Sequence, residues 1–129
     1  MKAVTQLAIA GTNEAADLYV KAFGLTKGLA VKHDNGTYAH LSLMHGDVEI
    51  LSMTESNHSA GEKNINKTNG ISGIANIGIY GLTKDEVYKA YEVLKTDAEN
   101  IADEPKSCPW LDLYFILTDR FGVGWQVGT

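Results

Sequence analysis

A lone cysteine, dispersed basic residues and the lack of any long apolar run set the first limits on this chain of 129 residues. Cys108 has no second thiol to pair with, so no intramolecular disulfide can form, which predicts a reducing, cytoplasmic setting. It also lacks a C-x-x-C partner, and no neighbour in the sequence activates it as a nucleophile. The eleven Lys and Arg residues are scattered and the formal net charge is −5. A surface that tracks phosphates concentrates its cations, so no nucleic-acid partner is expected. No apolar stretch approaches the ~20 residues needed to cross a bilayer, and no membrane partner is expected either. Residues 1–6 lack a basic region leading into a sustained apolar core, so they do not read as a signal peptide. Ser-His-Asp ordering, a phosphate loop and a paired-carboxylate motif are all missing.

What is present suits an ordinary globular domain, with 44% hydrophobic and 21% charged residues. A chain of this length buries about two-thirds of its unfolded surface and needs no disulfide or metal staple. Residues 3–10 read as a strand stopped by Gly11. Thr12 then stands as a plausible helix N-cap before Ala15, Leu18, Tyr19, Ala22 and Phe23, whose spacing marks one buried helical face. Gly24 stands where a left-handed residue would close that helix. Three strand-like runs follow, over 25–32, 37–44 and 48–53, with an Asn35-Gly36 hairpin signal and a turn at His45-Gly46-Asp47.

From 54 to 70 the chain is polar and aperiodic, long for a loop inside a compact domain. The order then repeats. A strand is predicted over 71–80, and Thr83 with Glu86 forms a capping box. Val87, Ala90, Tyr91 and Leu94 make the next helical stripe. A weak strand near 100–102, a strong one over 111–118, a turn at 119–122 and a last strand over 123–127 complete the series. The fold class is therefore α+β: two βαβββ modules, 1–53 and 71–129, joined by a polar linker 54–70 within one domain spanning 1–129.

Three stretches carry a family likeness. One is the helix Asn13-Glu14-Ala15-Ala16-Asp17-Leu18-Tyr19 that ends Lys21-Ala22-Phe23-Gly24. Another is His40-Leu41-Ser42-Leu43 with Gly46-Asp47. The third is Trp110, Asp112 and Tyr114 followed by Thr118-Asp119-Arg120-Phe121-Gly122-Val123-Gly124-Trp125. In order and over nearly the whole length, the chain resembles the vicinal oxygen chelate superfamily of glyoxalases, bleomycin-resistance proteins and dioxygenases. Its PhnB-like branch, often labelled demethylubiquinone methyltransferase, is the most similar. Leu111 and Phe115 stand where that branch often has glycines. No glycine-rich strand-to-helix loop suits a nucleotide-like methyl donor, so the methyltransferase label is not carried over.

The resemblance implies sheets around a shared cleft, with a metal held by inward side chains of the first and fourth strands of each half. Those places fall on Gln6, Glu49, Asn76 and Gln126. Three neutral amides and one carboxylate are a poor set for zinc, nickel, manganese or iron, which favour imidazole and carboxylate. No cofactor is therefore expected, with such a divalent metal as the alternative. The same four side chains could grip a ligand's oxygens directly, or simply be polar strand ends bonded to neighbours. His40 and Glu49 are the candidate catalytic groups, the histidine as donor, base or ligand near neutral pH. A half-buried histidine bonded to a backbone carbonyl would look the same in sequence. His33, His45 and His58 read as surface residues.

Large rings gather in the last hairpin: Trp110, Tyr114, Phe121 and Trp125. Phe121 reads as packing, while Trp110, Tyr114 and Trp125 are candidate ligand contacts, since sites for organic molecules are mostly apolar with few polar groups. Asp119 and Arg120 fit a tight turn, and Arg120 could also reach an anionic ligand. The expected function is binding of a small organic molecule without a tight metal. A metal-dependent lyase, isomerase or dioxygenase of the glyoxalase type is the alternative, and a structural or regulatory dimer without ligand a third. By resemblance, the chain is expected to form a homodimer.

Overall fold

The computed structural model describes residues 1–56 and 75–129. The linker beyond Ser56, His58 and the opening of the strand predicted over 71–80 lie outside them. The chain divides into two compact units, Met1–Ala60 and Gly61–Thr129. In each, a helix lies against one face of a four-stranded mixed sheet.

In the first unit β1 (Thr5–Ile9), α1 (Thr12–Phe23), β2 (Thr26–Lys32), β3 (Tyr38–His45) and β4 (Val48–Glu55) follow in chain order. The sheet order is β1-β4-β3-β2, with β1 parallel to β4 and the other pairs antiparallel. Alternation along β3 and β4 sends Leu41, Leu43, Leu51 and Met53 to one face, where all four are fully buried. α1 covers this face with Ala15, Leu18, Tyr19 and Ala22. The helix ends as the sequence predicts: Gly24 takes φ 64°, and its N–H bonds to the Val20 carbonyl.

Its start differs from expectation. Gly11 is the N-cap and Thr12 is the first helical residue. With no side chain at the cap, the orphan N–H groups are met from β4. The Glu55 carboxylate accepts from Gly11 N and Thr12 N, both at 2.9 Å, and from Thr12 Oγ1 at 2.5 Å.

The second unit repeats the order with β5 (Ile77–Ile79), α2 (Lys84–Leu94), β6 (Asn100–Cys108), β7 (Leu111–Thr118) and β8 (Gly124–Gly128). Its sheet runs β5-β8-β7-β6, with β5 parallel to β8. Phe115, Leu117, Trp125 and Val127 form the face under α2, and Phe115 meets the Tyr91 ring at 5.3 Å. The strand read as weak near 100–102 continues to Cys108. β6 is a sheet edge, where Pro105 and a run of charged residues are tolerated and the strong β7 supplies the pairing.

The capping box opens α2 as predicted. Glu86 N donates to Thr83 Oγ1 at 3.2 Å, and Thr83 N donates to Glu86 Oε2 at 2.7 Å. Thr83→Ala is expected to cost about 1 kcal/mol, read as a lower urea midpoint at unchanged slope. No helix among the described residues is long and apolar enough to cross a membrane.

Candidate functional site

Each sheet has a second face, not covered by its own helix, and the polar candidates collect there. In the first unit Gln6 pairs with Ser52, and its Nε2 donates to Thr54 Oγ1 at 3.2 Å. Ser42 pairs with Ser52 across β3 and β4. Strict alternation from Leu51 would turn Glu49 toward α1. A bulge prevents this: Leu43 pairs with Leu51 but Met44 pairs with Glu49, leaving Ile50 as the extra residue. Glu49 therefore emerges beside Ser42.

Four residues are linked there. Ser42 Oγ donates to Glu49 Oε1 at 2.6 Å, and His40 Nε2 lies 3.2 Å from Ser42 Oγ. The Lys2 ammonium pairs with Glu49 Oε2. The serine hydroxyl has one hydrogen, given to the carboxylate, so it accepts from His40. That puts a proton on Nε2 and leaves Nδ1 as the ring nitrogen outside this chain of bonds. The Lys2 ammonium, then the Ser42 hydroxyl, hold the Glu49 carboxyl below its ordinary range against the opposing pull of burial. Ser42 is 5% exposed, so this hydroxyl is fixed in place rather than solvated.

In the second unit Gln126 pairs with Gly78 and Ile116. Asn76, two residues before Gly78, falls on the same helix-free face, and its Oδ1 is buried with no hydrogen-bond partner. Tyr114 is on this face too. Its hydroxyl donates to Asp103 Oδ2 at 3.0 Å, and Lys106 lies 2.7 Å from Asp103 Oδ1. Burial, then the carboxylate, push the Tyr114 phenol up, while Lys106 holds Asp103 down.

Other sequence candidates are placed apart from these. Trp125, read as a ligand contact, is enclosed instead: it is fully buried on the α2 side, and its Nε1–H goes to Asp119 Oδ2 at 2.8 Å. Trp110 sits at the β6–β7 turn and is 76% exposed. Arg120 sits in the β7–β8 turn with its guanidinium 5.1 Å from the Phe121 ring centroid. His33 and His45 are exposed. Sequence reasoning overlooked Ser42 and Lys2. Ser42 had a signal, since it lies two residues from His40 on one strand face; Lys2 had none, because its partner is 47 positions away.

Taken unit by unit, the donors are few for a divalent cation: the first offers the Gln6 amide and the Glu49 carboxylate, which pairs with the Lys2 ammonium, and the second offers the amides of Asn76 and Gln126. Among the described residues, no group of three or more His, Cys, Asp or Glu could hold a metal.

A family model described as the Glyoxalase/Bleomycin resistance protein/Dioxygenase superfamily matches residues 3–127. The chain belongs to that superfamily. Solved structures share its fold over at least 91% of their length. The PhnB protein from Bacillus cereus has TM-score 0.74 at 20% identity, covering 99% of this chain and 98% of that one. The superfamily chain is similarly close to PA1353 from Pseudomonas aeruginosa, with TM-score 0.73, 20% identity, and coverage of 99% and 96%. A mutant of the fosfomycin resistance protein FosX from Listeria monocytogenes, complexed with Mn(II) and a dihydroxypropylphosphonic acid, gives TM-score 0.66 at 9% identity, covering 100% and 91%. At these identities the likeness is one of fold. No curated protein matches the sequence.

Proposed function

We propose that this superfamily member binds a small organic ligand through polar side chains on its helix-free sheet faces, without a tightly held metal. The observation that carries the reading is the Lys2 ammonium paired with Glu49, the one carboxylate among the four positions that the resemblance implies for metal ligands. A cation from the chain itself offsets the charge a divalent ion would need. The Lys2, Glu49, Ser42 and His40 chain then holds the imidazole in one orientation, with Nδ1 as the nitrogen left to meet a ligand's polar group. Metal-dependent lyase, isomerase or dioxygenase chemistry would require the Lys2–Glu49 pair to open first.

Elemental analysis of protein purified without chelator, followed by titration with nickel, zinc and manganese, tests this. No stoichiometric uptake is expected at tens of micromolar metal. In a thermal-shift panel of oxygenated aromatic compounds, saturable stabilisation is expected, weakened at least fivefold by Ser42→Ala. One equivalent of metal that disappears in Glu49→Ala would overturn the metal-free reading in favour of the enzyme.

A further inference from the structure

The hairpin joining β2 to β3 turns on the dipeptide Asn35-Gly36, and its geometry bears on the chemistry of that pair. Gly36 takes φ 85°, the left-handed form that glycine adopts without strain. Gly36 N donates to the His33 carbonyl and His33 N to the Thr37 carbonyl, both at 2.9 Å, which closes the turn. Asn35 is exposed. Its side-chain Oδ1 accepts from Thr37 N at 3.0 Å and from Thr37 Oγ1 at 2.6 Å. Two donors thus meet one amide carbonyl, and the first closes an Asx turn whose ring contains both Asn35 Cγ and Gly36 N. No side chain shields that nitrogen, and a Cβ on Gly36 would meet nothing within 4 Å.

An asparagine followed by glycine loses its side-chain ammonia when the next backbone nitrogen attacks Cγ. The negative charge that develops in this step falls on Oδ1, the oxygen to which Thr37 already points two hydrogens. Donors preset at a developing oxyanion speed acyl transfer, by about 10²–10³-fold for one donor in an enclosed active site. The Asx ring also restrains the two reacting atoms beside each other. Against this, the Gly36 N–H must leave the His33 carbonyl before its nitrogen reacts. That is one backbone bond in an exposed turn, of the kind that opens most easily, set against two donors already in place. We infer that Asn35 is a self-modification site, converted through Gly36 N, with Thr37 holding the oxyanion, to a mixture of aspartate and isoaspartate.

In the first step Gly36 N gives its proton to hydroxide and bonds to Cγ. The Cγ–Nδ2 bond breaks, and the nitrogen leaves as ammonia with a proton taken from water, which closes a succinimide and restores the hydroxide. In the second step water adds to one ring carbonyl and the ring C–N bond there breaks. Opening at Cγ gives aspartate; opening at the main-chain carbonyl of residue 35 gives isoaspartate. One water is consumed, one ammonia is released, and nothing is oxidised or reduced. The product adds one negative charge to a chain that already carries a formal −5. Isoaspartate also threads the main chain through Cγ, one carbon longer, in a turn tied to α1 by Asn13 Nδ2, which donates to Gly36 O at 3.2 Å.

The test incubates the folded full chain in mildly alkaline buffer. The proteolytic peptide carrying residue 35 is followed by mass spectrometry and by its chromatographic splitting into aspartate and isoaspartate forms. Conversion is expected to slow at least fivefold in Thr37→Val, which keeps the backbone donor and the side-chain shape but loses the hydroxyl. Thr37→Ser should restore the wild-type rate. In urea, where the turn is gone, wild type and Thr37→Val should convert alike. A folded Thr37→Val chain that converts as fast as wild type, or faster, would overturn the inference. So would a wild-type Asn35 that converts in urea but stays intact in the folded chain.

Discussion

Asp119→Ala is expected to destabilise the chain by about 3–5 kcal/mol, a large share of the stability of a domain this size. The carboxylate is fully buried in the β7–β8 turn. Its Oδ1 accepts from Phe121 N at 2.8 Å and Val123 N at 3.1 Å, and its Oδ2 accepts from the Trp125 indole at 2.8 Å. One side chain therefore shapes the turn and anchors the largest ring of the second core. Alanine leaves two backbone donors and an indole N–H without their acceptor, and each such loss costs about 1–3 kcal/mol, less whatever entering water restores. Asp119→Asn keeps the volume but sets its NH2 against either the indole N–H or the two backbone donors, so it should cost about 1–3 kcal/mol for the donor left unmet, less than alanine. Urea unfolding of both variants checks the ordering. A loss in Asp119→Ala of under about 1 kcal/mol would mean the turn holds itself together by other means.

Glu55 is the corresponding keystone of the first unit, and its effect should depend on pH. Burial alone would lift its pKa, but the Thr12 hydroxyl and the N–H groups of Gly11 and Thr12 outweigh burial and hold it below the ordinary value. A carboxyl with a depressed folded pKa binds fewer protons in the folded state than in the unfolded one. Its contribution is thus complete above the unfolded value, about 4.3, and is lost as pH falls through the folded one. Glu55→Gln should cost about 1–2 kcal/mol at neutral pH, after allowance for partial solvent screening. The gap between wild type and variant should narrow as pH drops below about 4. Paired urea titrations at neutral and acidic pH read this directly. A gap that stays constant, or widens in acid, would remove Glu55 as the charged cap of α1.

Local signals carried most of the fold. The apolar stripes of α1 and α2, the Thr83–Glu86 box, the Gly24 stop and the Asn35-Gly36 hairpin all depend on residues within a few positions of each other, and all appear in the structure. What could not be read depends on distant partners. Thr12 looked like a cap because nothing nearby shows that Glu55, 43 residues on, serves that end instead. The composition of β6 signalled only a weak strand near 100–102, because its pairing with β7 at a sheet edge, which carries it on to Cys108, is not local. The ring of Trp125 suited a ligand surface as well as a core, and its bond to Asp119 settled where it lies.

The candidate site shows the same division. Residue types at Gln6, Glu49, Asn76 and Gln126 were readable, and strand alternation put Gln6 and Gln126 on the helix-free faces of their own sheets. Missing from the sequence was the ammonium that neutralises Glu49.

The extra residue in β4 has a consequence for how relatives of this chain are compared. Which side of the sheet the carboxylate occupies depends on a count of residues, not on their chemistry. A homologue with glutamate in the same local motif but a regular ladder would hide that group beneath its helix. Two sequences that look alike over this strand can therefore present opposite chemistry to a ligand, and a gap at Ile50 is a better guide to shared activity than an identical letter at 49.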